Sequence, residues 1–210
     1  MANYFTNRIV FYGEDKKALT DLLGKISACV DEPANNKVRT FLELAGLNAE
    51  DAKACADSHD FFTYLDFTVQ ENPCGGYFEV QTESAWSANI EGFYKVLRKT
   101  YDGKINLVYQ SEEAGCGIFI NSDIEGMFFT ERYRLDYCYG DSSVREYFST
   151  WQEAAEFLND VFPKAKITSY TTLADAVNRI ESLYRFDSRK QEYIYLDRFK
   201  CSEEEGGLAA

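Results

Sequence analysis

Hydrophobic and polar positions change period several times along the chain, and each change marks an element. Residues 3–12 (NYFTNRIVFY) are rich in aromatic and β-branched side chains and end at Gly13, the composition of a strand. From Asp15 the spacing lengthens. Leu19, Leu22, Leu23, Ile26 and Val30 recur at three- and four-residue steps, which predicts an amphipathic helix limited by Pro33. Residues 35–59 carry a weaker helical pattern, with Val38, Phe41, Leu42 and Ala45 on one short face closed by Gly46. Asn48 is placed to cap a further short helix, with Glu50 and Asp51 in the first turn where the helix dipole favours acids. Residues 61–70 (FFTYLDFTVQ) alternate: Phe61, Thr63, Leu65, Phe67 and Val69 share one face, and Phe62, Tyr64 and Asp66 the other. The turn Asn72-Pro73-Cys74-Gly75-Gly76 and renewed alternation over 77–82 predict a hairpin.

The strongest helical stripe follows, with Ile90, Phe93, Tyr94, Leu97 and Tyr101 in line over residues 87–101 and Ser87 as the expected N-cap. Trp86 stands just before that cap. It serves there either as a hydrophobic staple against the first turn or as a contact for a partner. Strands are expected over 104–111, 117–121 and 128–139, the last with Tyr133, Leu135, Tyr137 and Tyr139 on one face. Thr150 and Glu153 form a capping box for a helix that stops at Pro163; another helix spans 172–184 and a strand 192–199. The class is α+β: antiparallel sheets with helices packed on one face. The expected organisation is a body over 1–165, divisible into 1–72 and 73–165, then a helix and strand over 166–200 and a flexible tail over 201–210.

Composition narrows the function. Hydrophobic residues make up 45% of the 210, with 16 Phe and 15 Tyr, enough for a sizeable core. The net charge of −13 repels phosphate backbones, so direct nucleic-acid binding is disfavoured. Residues 111–160 alone hold 11 acids and 3 Arg, a net −8. That excess is either a solvated face or a negative surface for a basic partner; Glu112, Glu113, Asp123, Glu125, Glu131 and Asp136 are its expected members. Six cysteines without a Cys-x-x-Cys pair, and the lack of a secretory leader, point to reduced thiols and the cytoplasm. No apolar run approaches the ~20 residues needed to span a bilayer.

Candidate chemistry is sparse. The single histidine, His59, has no nucleophile placed beside it by any motif, and the cysteine spacing does not describe a zinc site. Neither the Pro73-Cys74-Gly75-Gly76 nor the Gly115-Cys116-Gly117 segment is a phosphate loop, and acids beside Cys116 raise its pKa rather than activate it. The carboxylates Asp123 with Glu125, and Glu131 with Asp136, show no convergence on a metal cavity. Arg132 and Arg134 flank Tyr133 as in a stacking platform for single strands, but Glu131 and Asp136 cancel their charge. The expectation is a protein without catalytic site, metal or cofactor.

The opening Asn7-Arg8-Ile9-Val10 running to Gly13, the segment 78–87 with Thr82 and Ala85-Trp86-Ser87, and the later turn with Glu113 and Gly115 to Gly117 resemble the Api92-like family. The chain departs from that family in having Tyr4-Phe5 near its start and Ala88-Asn89 after Trp86-Ser87. The resemblance implies a ferredoxin-like domain of the YubB type over residues 1–165, carried by phages, plasmids or other mobile elements. With the charge, it implies a non-enzymatic interaction protein that inhibits a host nucleic-acid-binding or defence protein by occupying its basic surface. A single-stranded nucleic-acid module and a carboxylate metal hydrolase are the alternatives.

Overall fold

The computed structural model describes residues 4–31, 36–73 and 75–201. Expectations for Asn3, Pro33, Cys74 and the tail beyond Cys201 fall outside these residues. Contacts gather the chain into two compact units, one running to Asp123 and the other spanning Ile124–Cys201. The expected boundary at 165 is therefore displaced. The last helix and strand complete the second unit's own sheet and core rather than forming an appendix to a larger body.

The first unit is a six-stranded sheet built on β1 (Tyr4–Gly13), which pairs antiparallel with β4 (Gly75–Ala85) on one side and β5 (Asn106–Glu113) on the other. Beyond β4 lie β2 (Phe61–Leu65) and the short β3 (Gln70–Asn72); beyond β5 lies β6 (Ile118–Asn121). Helices α1 (Lys16–Val30), α2 (Val38–Leu44), α3 (Ala49–Cys55) and α4 (Glu91–Tyr101) share one core with the sheet. Leu19, Leu22, Leu23 and Ile26 of α1 are buried as their spacing predicts, and Asn48 caps α3 by accepting from the Asp51 amide. The centre is aromatic: Phe11 stacks on Phe78, and Phe41 on Phe93, with centroids 5.2 and 5.7 Å apart. Close approach of α4 requires Gly92, where a Cβ would fall 2.6 Å from Leu42 and 3.0 Å from the Cys55 Cβ.

Two expectations in this unit fail. The ten-residue strand over 61–70 is two short strands: β2 carries a bulge where the pairing with β4 slips between Phe62 and Tyr64, and it ends at Leu65, where Asp66 turns its carboxylate onto the Glu79 amide. Phe62 is buried, while Phe67, in the break between the two strands, is 95% exposed and no longer shares a face with the half-buried Leu65 and Val69. The helix expected from Ser87 begins at Glu91 instead, and residues 86–90 form a turn.

In the second unit, β7 (Tyr133–Tyr139) lies between β8 (Ser142–Phe148) and β9 (Tyr193–Arg198), all antiparallel. Helices α5 (Trp151–Val161) and α6 (Leu173–Tyr184) pack against Leu135, Tyr137, Ile194 and Leu196 on one face. The Thr150–Glu153 capping box at the start of α5 is present with both reciprocal bonds. Across both units, the class is α+β with two antiparallel sheets.

Candidate functional site

The site grows out of a change in chemistry along one face of the first sheet. Where helices cover it, that face carries Ile9, Phe11, Phe78, Val80 and Leu107, all buried. Towards the end of β4 the same face turns polar. The Asn7 amide, fully buried, donates to Thr82 Oγ1 (3.1 Å) and Ser84 Oγ (2.9 Å) and accepts from Ser111 Oγ (2.7 Å). Ser84 Oγ in turn donates to the Ser87 carbonyl (2.6 Å), so the network ends on the turn that follows β4. Satisfied this way, the buried polar groups specify one arrangement of that turn.

The turn is under backbone strain. Trp86 has φ 70° and Asn89 φ 53°, the left-handed region that costs little only for glycine and is tolerable for Asn. What holds it is Asp60, a carboxylate with no exposed surface, lying between α3 and β2. Asp60 Oδ1 accepts from the Ala85 amide (3.3 Å), and Oδ2 from Asn89 Nδ2 (2.7 Å) and the Asp57 amide (2.8 Å). Burial pushes the Asp60 pKa above the ordinary carboxylate value, and the three donors only partly oppose it.

Held like this, the turn walls a cavity of about 450 Å³, within the range of small-ligand and side-chain pockets. Phe5, Tyr109, Ile118 and Ile120 supply the sheet side, and Ala54, Cys55, Glu91 and Tyr94 the helix side. Trp86 lines it with 65% of its own surface still exposed. Burial pushes the Tyr94 hydroxyl up to about 12, so it stays protonated and able to donate. Lys95 bridges Glu91 (2.7 Å) and Cys55 Sγ (3.3 Å), which neutralises the one carboxylate among the lining residues. The cavity therefore suits an uncharged, largely apolar group.

The residues singled out from sequence are distributed differently from the expected negative face. Glu112, Glu113 and Asp123 belong to the first unit, and Glu125, Glu131 and Asp136 to the second. Glu113 is buried and accepts from the Cys116 amide, closing its own hairpin turn; its carboxylate also raises the Cys116 pKa. Asp123 is buried and Glu112 and Glu131 are half-buried. Asp136 is buried between Arg134 (2.5 Å), Arg145 (2.9 Å) and the Tyr193 hydroxyl (3.0 Å). Of the six acids only Glu125 is exposed. Counting charge in chain order overstated the surface, because several of these acids hold the fold together. The exposed Trp86 ring also rules out the staple.

The Tyr133–Arg134 platform does not form either. Tyr133 faces the helix side against Trp151, centroids 5.8 Å apart, while Arg134 projects to the other face and pairs with Asp136 and Asp197. His59 is exposed; Ser58 Oγ and Asp57 Oδ1 both approach its Nδ1 (3.2 and 2.9 Å), which provides no relay through the ring. Among the described residues, no three His, Cys, Asp or Glu side chains come together to share a metal ion, and no helix is long and apolar enough to cross a membrane. Sequence reasoning missed Asp60, Asn89, Tyr94 and Tyr109; Asn89, a residue type tolerant of left-handed backbone, was the available signal for the turn. No family model, curated protein or solved structure matches the chain.

Proposed function

We propose that the protein is a non-enzymatic binding protein that engages a basic partner protein and seats an uncharged apolar side chain of that partner in the Trp86 cavity. The carrying observation is an exposed tryptophan held in strained backbone at the wall of an aromatic-lined cavity. Strain of this kind collects at ligand clamps, where surrounding structure over-determines it. Partner charge follows from the surplus: residues 1–123 hold 19 acids against 11 bases, and residues 124–201 hold 13 against 11. The first unit thus attracts a basic surface, an effect on encounter and selectivity more than on affinity. The apolar anchor supplies the affinity.

The sequence resemblance extends this reading to a phage or mobile-element protein that covers the basic surface of a host nucleic-acid-binding or defence protein in the cytoplasm. The β-α-β-β-α-β order of β1, α1, β2, β4, α4 and β5, with β1 and β4 central, supports the ferredoxin-like part of it.

Calorimetric titration with three capped tripeptides tests the proposal: lysine–phenylalanine–lysine, lysine–alanine–lysine and glutamate–phenylalanine–glutamate. Burying a phenyl ring contributes ~1.5–3 kcal/mol, so the alanine peptide is expected to bind roughly 10- to 100-fold more weakly. The glutamate peptide is expected to bind more weakly still at low salt. Equal affinity for all three would refute the proposal.

A further inference from the structure

We infer that Asp60 is a positioning residue for the Trp86 cavity: its carboxylate grips the 85–89 turn on both sides of Trp86 and sets the wall against which an occupant packs. This rests on the reading of the cavity as a binding site. The geometry is specific. One oxygen takes the amide of Ala85, immediately before Trp86, and the other takes the side chain of Asn89, three residues after it. The second oxygen also takes the Asp57 amide, anchoring the grip to the turn before β2. The Asp60 carbonyl accepts from Val38 N–H at the start of α2 (3.0 Å), so the anchor is tied to a helix as well. A buried carboxylate with acceptors only can satisfy three donors at once; an amide in its place has one acceptor oxygen and, in either orientation, sets its NH2 against at least one of the three donors.

The same arrangement makes the wall sensitive to acid. Burial raises the Asp60 pKa, so it takes up a proton at higher pH than an exposed carboxylate does. Protonation converts one acceptor oxygen to a donor and loosens one end of the turn. The charged groups around it are Asp57, whose charge opposes ionisation of Asp60; His59, bound to Asp57; and Lys37, whose ammonium donates to the Ser58 carbonyl. The turn 85–89 itself carries no titratable side chain.

The chain has only two tryptophans, so a nitrogen-15 spectrum shows two indole signals, those of Trp86 and Trp151. Asp60→Asn and Asn89→Gly are each expected to move the Trp86 signal in the free protein and leave Trp151 in place. Glycine keeps the left-handed backbone at 89 while removing the bond to Asp60, so this second variant reports on the grip if Asp60→Asn folds poorly. Both should weaken the lysine–phenylalanine–lysine peptide about tenfold, with less than additive effect when combined. Wild-type affinity should fall as pH drops from neutral towards about 4, the range of ordinary carboxylates. That profile should persist in His59→Gln and become shallower in Asp60→Asn, where only the general loss of carboxylate charge remains. An unmoved Trp86 signal in both variants, or an unchanged pH profile in Asp60→Asn, overturns the inference. Failure of the wild type to bind the peptide, with the indole shifts intact, counts against the binding reading alone and leaves the grip supported.

Discussion

Replacing Trp86 separates its local structural cost from its use. The residue sits at φ 70° with 65% of its surface exposed, so about a third of the ring packs against the protein. A third of a ~250 Å² side chain, at ~25 cal/mol per Å², is worth about 2 kcal/mol. Glycine at this position loses that packing and adds ~0.4–1 kcal/mol of unfolded-chain entropy. Against this, it relieves the ~1–2 kcal/mol cost of left-handed backbone. Trp86→Gly should therefore destabilise by only about 1 kcal/mol, and Trp86→Ala, which keeps the backbone cost, by about 2 kcal/mol. A tryptophan used as core packing would cost ~3–5 kcal/mol on truncation. Urea denaturation followed by far-ultraviolet circular dichroism measures both variants without relying on the lost fluorophore. The reasoning is refuted if the alanine variant is the more stable of the two, or if either loses more than ~3 kcal/mol.

Other consequences can be checked in the same assay. Arg134→Met removes the cation that Asp136 and the half-buried Asp197 share, while Asp136 keeps Arg145 and Tyr193, and should cost ~1.5–3 kcal/mol, the range for a hydrogen bond to a charged group. Burial alone would raise the Asp136 pKa, but Arg145, Tyr193 and Arg134 together hold it below the ordinary value of 3.8. Its ionised form therefore stabilises the fold above that value, and the stabilisation is lost as pH falls through the lower folded pKa; Asp136→Asn should remove this acid-side loss. Phe67→Ser should change stability by no more than ~0.5 kcal/mol, because the ring is 95% exposed. Thr150→Ala should cost about 1 kcal/mol by opening the α5 capping box, and Thr150→Ser should restore it.

Local chemistry was legible and long-range chemistry was not. The spacing of Leu19, Leu22, Leu23 and Ile26, the Asn48 cap and the Thr150–Glu153 box each act within one element, and each appears where the pattern places it. The α4 boundary failed because Ser87 is held in a turn whose anchor, Asp60, lies far away in sequence. The 61–70 segment failed for a similar reason. Asp66 turns back to accept from the Glu79 amide (2.7 Å) and the Tyr64 hydroxyl (2.9 Å), which breaks the alternation and pushes Phe67 outward. β8 went unseen as a strand because most of its residues are exposed, leaving no apolar alternation to read. The cavity is assembled from β1, α3, the turn, α4, β5 and β6, and no window of sequence contains it.

The most direct test of the account is the two-indole spectrum recorded while the capped lysine–phenylalanine–lysine peptide is added. The Trp86 signal should move and saturate, Trp151 should stay fixed, and the alanine peptide at the same concentrations should leave both in place. A Trp86 signal indifferent to the phenylalanine peptide, or one that follows the alanine peptide equally, would contradict it.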